Sequence, residues 1–138
     1  MLAMRTLHTA YRVLDIGRSL DFYGALGYAE IGRVQTGDGS TLVMLQLTDD
    51  AAVSLELVHR AEAFEIGTGF SHLVVEVASL DAVLARLAAA GITAEPAQLP
   101  GGPDGPRTSF VFDPDGWRIE LVQWQAGHGH GMTSADFR

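Results

Sequence analysis

Laid on itself with a displacement of 64 residues and no gap, this chain repeats. His8 falls on His72, Glu56 on Glu120, Val13 on Val77, Asp15 on Ser79, Gly27 on Gly91 and Asp49 on Asp113. Leu57 and Val58 fall on Leu121 and Val122. A repeat of this period means that each half is one supersecondary unit with the same order of elements. A half of about 60 residues is marginal alone, so each is expected to bury a sheet face against the other or against another chain.

The matched positions have matching structural jobs. Asp15 and Ser79 are N-cap residues before helix-like stretches at 16–26 and 80–90. The second stretch is apolar and alanine-rich, and the first carries Leu20, Phe22, Tyr23 and Leu26 near helical spacing. Gly27 and Gly91 stand where a helix takes a left-handed C-terminal residue. Strands are expected at 7–14, 41–47 and 52–58 in the first half. The second half offers 71–77, 108–112 and 117–123, with weaker signals at 28–34 and 92–99 in the two halves. Gly37-Asp-Gly39 marks a hairpin, Asp113-Pro-Asp-Gly116 a turn, and 100–106 a Gly/Pro loop. Each half reads strand, helix, strand, strand, strand. The expected class is α+β, one domain of two modules at about 4–60 and 68–125, with a linker at 59–69 and a flexible tail at 126–138.

Composition narrows the function. The chain has no cysteine, which excludes thiolate nucleophiles and cysteine-rich zinc sites, so any metal must be held by His, Asp or Glu. A net charge of −8 opposes nucleic acid and anionic membrane surfaces, leaving a small-molecule substrate. No apolar run approaches the roughly 20 residues of a membrane span, and no signal peptide is legible. Cytoplasm is the expected location.

Strand alternation sets the direction of four polar residues. Glu56 lies between Leu55 and Leu57, and Glu120 between Ile119 and Leu121. His72 lies opposite Leu73 and Val75, while His8 and Arg12 share a face opposite Leu7 and Tyr11. A single strand glutamate reads equally well as an edge carboxylate, and a single histidine as an ordinary hydrogen-bonded residue. The repeat changes this, because each half supplies one His and one Glu at the same spacing of 48 residues. Two imidazoles and two carboxylates suit one borderline or hard divalent ion with positions left for water or substrate oxygens. Duplicated structural residues remain the alternative.

The segments Leu7-His-Thr-Ala-Tyr-Arg12, Ser19-Leu-Asp-Phe-Tyr23 with Leu26-Gly27, and Leu55-Glu-Leu57 resemble the short bacterial glyoxalase I type within the vicinal oxygen chelate superfamily. So do Glu65-Ile-Gly-Thr-Gly-Phe-Ser-His72 and Asp113-Pro-Asp-Gly-Trp-Arg-Ile-Glu-Leu121, so the likeness runs from about residue 4 to 123. The resemblance implies paired βαβββ modules curved around a metal, with first and last strands as neighbours. It implies a homodimer with sites at the subunit interface and ligands His8, Glu56, His72 and Glu120, two from each chain. Nickel or cobalt is the implied ion, with zinc the alternative. The implied reaction isomerises the hemithioacetal of methylglyoxal and a thiol to a 2-hydroxyacyl thioester through an enediolate. Glu120 and Glu56 are then ligands that also serve as bases, Glu120 the first, and Arg12 meets a carboxylate of the thiol cosubstrate glutathione. The repeat-mate of Arg12 is Glu76, so the halves differ there.

Arg60 departs from the family, whose short members have an asparagine a few residues after the first glutamate ligand, and this leaves glutathione or another thiol open. Arg60 otherwise reads as a linker arginine, Arg107 as an unproven anion contact, and His59 as incidental. His128-Gly-His130 has no legible role, and Trp117, Trp124, Phe22 and Tyr23 read as core or interface. Two competing functions stand beside glyoxalase I. One is another metalloenzyme of the superfamily, an epimerase, thiol transferase or dioxygenase. The other is a metal-free small-molecule binding or resistance protein. The intact quartet with Glu56 favours glyoxalase I.

Overall fold

The structure, a computed structural model, describes residues 2–138. The chain divides into two units, one ending at Ile66 and the other beginning at Gly67.

The first unit runs β1 (Thr9–Val13), α1 (Ile16–Leu26), β2 (Ala29–Gln35), β3 (Thr41–Gln46) and β4 (Leu55–His59). Its sheet order is β1-β4-β3-β2, so the first and last strands are neighbours. They run parallel, with Ala10 opposite Glu56. Parallel strands need a long crossover, and α1 with the β2–β3 hairpin provides it. Alternation sends Tyr11, Val13, Val43, Leu45, Leu55 and Leu57 to one buried face. The α1 residues Phe22 and Tyr23 are buried as well, and the Tyr23 hydroxyl is hydrogen-bonded to that of Tyr11. Each fully buried leucine contributes about 1.5–3 kcal/mol relative to exposure. Helix α1 starts where the Asp15 carboxylate accepts from the Arg18 amide at 2.8 Å. It ends at Gly27, whose φ of 113° is left-handed, with the Tyr28 amide closing back on the Tyr23 carbonyl.

The second unit runs β5 (Leu73–Glu76), α2 (Leu80–Ala89), β6 (Arg107–Phe112) and β7 (Arg118–Gln123), followed by a 3-10 turn at Ser134–Phe137. The sheet order is β5-β7-β6, with β5 parallel to β7 and Val74 opposite Glu120. Val75, Val111, Ile119 and Leu121 are buried with Leu80 and Leu87 of α2, which packs on β6 and β7. The Gln123 side chain accepts from the Leu80 amide at 2.7 Å, tying the helix start to the last strand. The helix is one residue shorter than read: Ala90 is the cap, and Gly91 takes the left-handed turn with φ of 77°.

The architecture is α+β, as the sequence indicated. One element of the second half differs. The weak strand read at 92–99 is no strand but an extended segment with one isolated bridge, Gln98 to Thr108. Its Glu95 amide also donates to the Phe110 carbonyl. Pro96, between these two contacts, has no amide to continue a ladder, and the Gly/Pro loop follows at once. In the tail, expected to be flexible, Thr133 and Asp136 form a reciprocal capping box around the 3-10 turn.

Candidate metal centre

Each unit builds one imidazole–carboxylate pair in the same way. His8 immediately precedes β1, and Glu56 lies mid-β4 opposite Ala10, on the face away from Leu55 and Leu57. The parallel pairing brings His8 Nε2 to 3.0 Å from Glu56 Oε1. His72 immediately precedes β5, and Glu120 lies mid-β7 opposite Val74. Here His72 Nε2 stands 3.6 Å from Glu120 Oε1, too far for a hydrogen bond. The side chains are 24% and 16% exposed in the first pair and 28% and 20% in the second, open enough for an ion to reach.

The spacing suits cation binding. Nitrogen and oxygen ligands about 2.1 Å from an ion stand about 3.0 Å apart when cis in an octahedron and about 3.4 Å apart in a tetrahedron. Both pairs are close to this bite without rearrangement. Hard carboxylate oxygen with borderline imidazole nitrogen is a donor set for nickel, cobalt or zinc. The residues present therefore fit a divalent metal, each pair supplying two ligands. Among the described residues, no group of three or more His, Cys, Asp or Glu gathers at one point.

The second pair has support around it. Ser71 Oγ lies 2.7 Å from His72 Nδ1, which leaves Nε2 facing Glu120. A partner on the far ring nitrogen fixes orientation and tautomer. Phe110, opposite Glu120 in the ladder, meets the His72 ring edge-on at 5.5 Å. The Arg118 guanidinium lies 3.5 Å above the same phenyl ring, so Phe110 is held between a cation and the imidazole.

The other residues singled out in the sequence have definite places. Arg12, on the Glu56 face, donates to the Glu62 carbonyl at 2.8 Å and stacks 5.0 Å over Phe64. Arg60 is more than a linker arginine. It donates to Ser40 Oγ at 2.6 Å and is ion-paired with Asp38, clamping the end of β4 to the β2–β3 hairpin. Thr36 and Ser40 donate to Asp38, and with Arg60 nearby they hold its carboxyl well below the usual range. Sequence reading missed Asp38 and Ser40; the Gly-Asp-Gly signal gave the turn but not its partner 22 residues on. Arg107 is paired with Asp81 at 3.0 Å. His59 ends β4, in register with Val13 and Thr41. Phe22, Tyr23 and Trp117 are buried, whereas Trp124 stacks on His128.

A model of the Glyoxalase/Bleomycin resistance protein/Dioxygenase superfamily matches residues 5–121. The lactoylglutathione lyase of Neisseria meningitidis (serogroup A) is 33% identical over 131 residues, covering 90% of this chain and 94% of that one. The chain belongs to the glyoxalase I family. As a member it also matches the lactoylglutathione lyase GLX1 of Arabidopsis thaliana, at 30% identity over 126 residues and 86% of this chain. It spans only 44% of the length of that plant relative. Among solved structures, the trypanothione-dependent glyoxalase I of Leishmania major superposes with a TM-score of 0.74 at 26% identity, covering 88% of this chain and 87% of that one. This glyoxalase I family chain thus has the fold of its relatives and, in each unit, one imidazole–carboxylate pair.

Proposed function

We propose that this chain is a metal-dependent lyase that isomerises a hemithioacetal of methylglyoxal and a thiol to a 2-hydroxyacyl thioester. The observation that carries this reading is the duplicated imidazole–carboxylate pair, each at the bite of a divalent cation. His8, Glu56, His72 and Glu120 would hold one ion per site, nickel or cobalt before zinc. In a homodimer, one pair would come from one chain and the other pair from its partner. When bound, the metal supplies Lewis-acid stabilisation of negative charge on two neighbouring substrate oxygens.

The protein's own groups then move the proton. The substrate loses a proton from the carbon carrying sulfur and hydroxyl, and regains one at the adjacent carbonyl carbon. No atom is gained or lost overall, so a single carboxylate that accepts and returns the proton is sufficient. Glu120 is suited to this role, because its distance from His72 leaves its oxygens uncommitted to a hydrogen bond there. Glu56, bonded to His8, is the second base. Arg12 would meet a carboxylate of the thiol, its stacking on Phe64 holding the guanidinium in place. The thiol is glutathione or another. Arg60, at the position that departs from the family, is committed to Asp38 and Ser40. The glyoxalase I of Leishmania major, similar in fold, is trypanothione-dependent, which supports a thiol other than glutathione as an alternative. No described helix is long and apolar enough to cross a membrane.

The test is a matrix. Metal-free protein is loaded singly with nickel, cobalt, zinc or manganese and assayed for thioester formation from methylglyoxal with glutathione, trypanothione and simpler thiols. Turnover with at least one combination, lost on chelation, is expected. Correctly folded protein that binds the ions yet turns over none of the combinations refutes the assignment.

A further inference from the structure

Glu120 has a permanent cation for a neighbour on its own face. Arg118 and Glu120 alternate to the same side of β7, about 6.6 Å apart along the strand, within the reach of an arginine side chain. A guanidinium at that range readily forks onto a carboxylate and occupies both of its oxygens. Arg118 does otherwise. Its guanidinium lies 3.5 Å over the face of Phe110, and its ion pair, at 3.8 Å, is with Glu95. In the sheet order β5-β7-β6, the side chain therefore turns away from His72 and crosses the edge strand β6.

Both holders of Arg118 are fixed in place. Phe110 is the ladder partner of Glu120, so its ring stands on the same face beside the carboxylate. The Glu95 amide donates to the Phe110 carbonyl at 2.8 Å, and Ser109 Oγ donates to the Glu95 carbonyl at 2.6 Å. The extended segment after α2 is thus tied to β6 at the point where Glu95 meets Arg118. The first unit has neither part. There the ladder partner of Glu56 is Met44, and the residue two before Glu56 is Ser54. Cation and ring occur together, beside the carboxylate that makes no hydrogen bond to its histidine.

We propose that Phe110 and Glu95 are positioning residues that hold Arg118 off Glu120 and so keep both Glu120 oxygens open. What the open oxygens are for, a divalent ion and a proton, rests on the isomerase reading; the diversion of Arg118 does not. Without the ring, the guanidinium loses its stacking surface and turns to the nearer carboxylate. Glu120 is then neutralised by a group that keeps its charge at every working pH, and an incoming metal must displace it. Phe110 also meets the His72 ring at 5.5 Å, so its loss reaches the imidazole as well. Removing Arg118 from the same protein separates the two causes.

The test is a cycle of nickel affinities in the full chain, read by competition with a chelator, with thermal melting to confirm that each variant folds. Phe110→Leu should bind nickel about fivefold more weakly, the size expected of competition from a partly exposed ion pair. Arg118→Gln alone, and Phe110→Leu combined with Arg118→Gln, should each bind within about twofold of wild type. An unchanged Phe110→Leu or a weakened Arg118→Gln overturns the proposal. So does a double variant as weak as Phe110→Leu, which would assign the loss to His72. Glu95→Gln, at an exposed position, releases the same arginine from its other holder. It should weaken binding by about twofold, a loss that Arg118→Gln cancels, and this pair decides the matter where Phe110→Leu does not fold. A crystal structure of metal-free Phe110→Leu gives a readout independent of binding: Arg118 paired with Glu120 is expected, and Arg118 still on Glu95 refutes the diversion. A wild-type chain that binds no nickel sinks the metal reading and leaves that structure to decide the diversion alone.

Discussion

Replacing Glu120 with glutamine separates chemistry from architecture. The amide is nearly isosteric with the carboxylate, and the ladder contacts of β7 with Val74 and Phe110 are made by backbone that the change does not touch. Glu120 forms no hydrogen bond to His72, the 3.6 Å separation being too long, and its side chain is one-fifth exposed. Stability should therefore change by no more than about 0.5 kcal/mol. Glutamine cannot accept and return a proton, and a positioned base is worth about 10²–10⁴ in rate. That factor corresponds to about 2.7–5.5 kcal/mol of barrier. Glu120→Gln is thus expected to melt within a few degrees of the wild type while kcat falls at least a hundredfold. The assay is thioester formation at saturating metal, with bound metal quantified in the same samples so that loss of the ion is not mistaken for loss of the base. A metal-loaded Glu120→Gln within tenfold of wild-type kcat would refute the argument that Glu120 moves the proton.

Ser71→Ala removes the partner of His72 Nδ1 and should weaken metal binding by about tenfold, measured by competition with a chelator; an unchanged affinity would show that Ser71 does not orient the ring. Asp38→Asn tests the hairpin clamp through pH. Because the folded Asp38 carboxyl is held low, its contribution is complete above about 3.8 and declines as pH falls through the lowered value. The urea midpoints of wild type and Asp38→Asn should therefore differ at pH 5 and converge in stronger acid, whereas a constant gap would deny the linkage. Asp113→Ala should cost at least about 2 kcal/mol by chemical denaturation, because the buried carboxylate accepts from the Asp115 and Trp117 amides, and a loss under 1 kcal/mol would contradict the turn's role.

What the sequence disclosed and what it withheld follow from the range of the forces involved. The helices were legible because caps and periodicity are local: Asp15 and Ser79 do cap them, and Gly27 and Gly91 do turn left-handed. The two His–Glu pairs were legible because the repeat displayed the same spacing twice, although no local signal separates Glu56 from a surface carboxylate. The lost strand at 92–99 turned on one proline against a weak pattern, a balance that propensity alone does not settle. The Arg60 clamp was illegible for a different reason: it joins the end of β4 to a turn 22 residues earlier, and nothing in either segment announces its partner.

In both units the histidine just before the first strand meets the glutamate of the last strand, and the two become neighbours only after the elements between them have turned the chain back. Under the proposed function, a unit short of its final strand has one imidazole without the carboxylate beside it, and offers a metal no pair however well its remaining pieces fold.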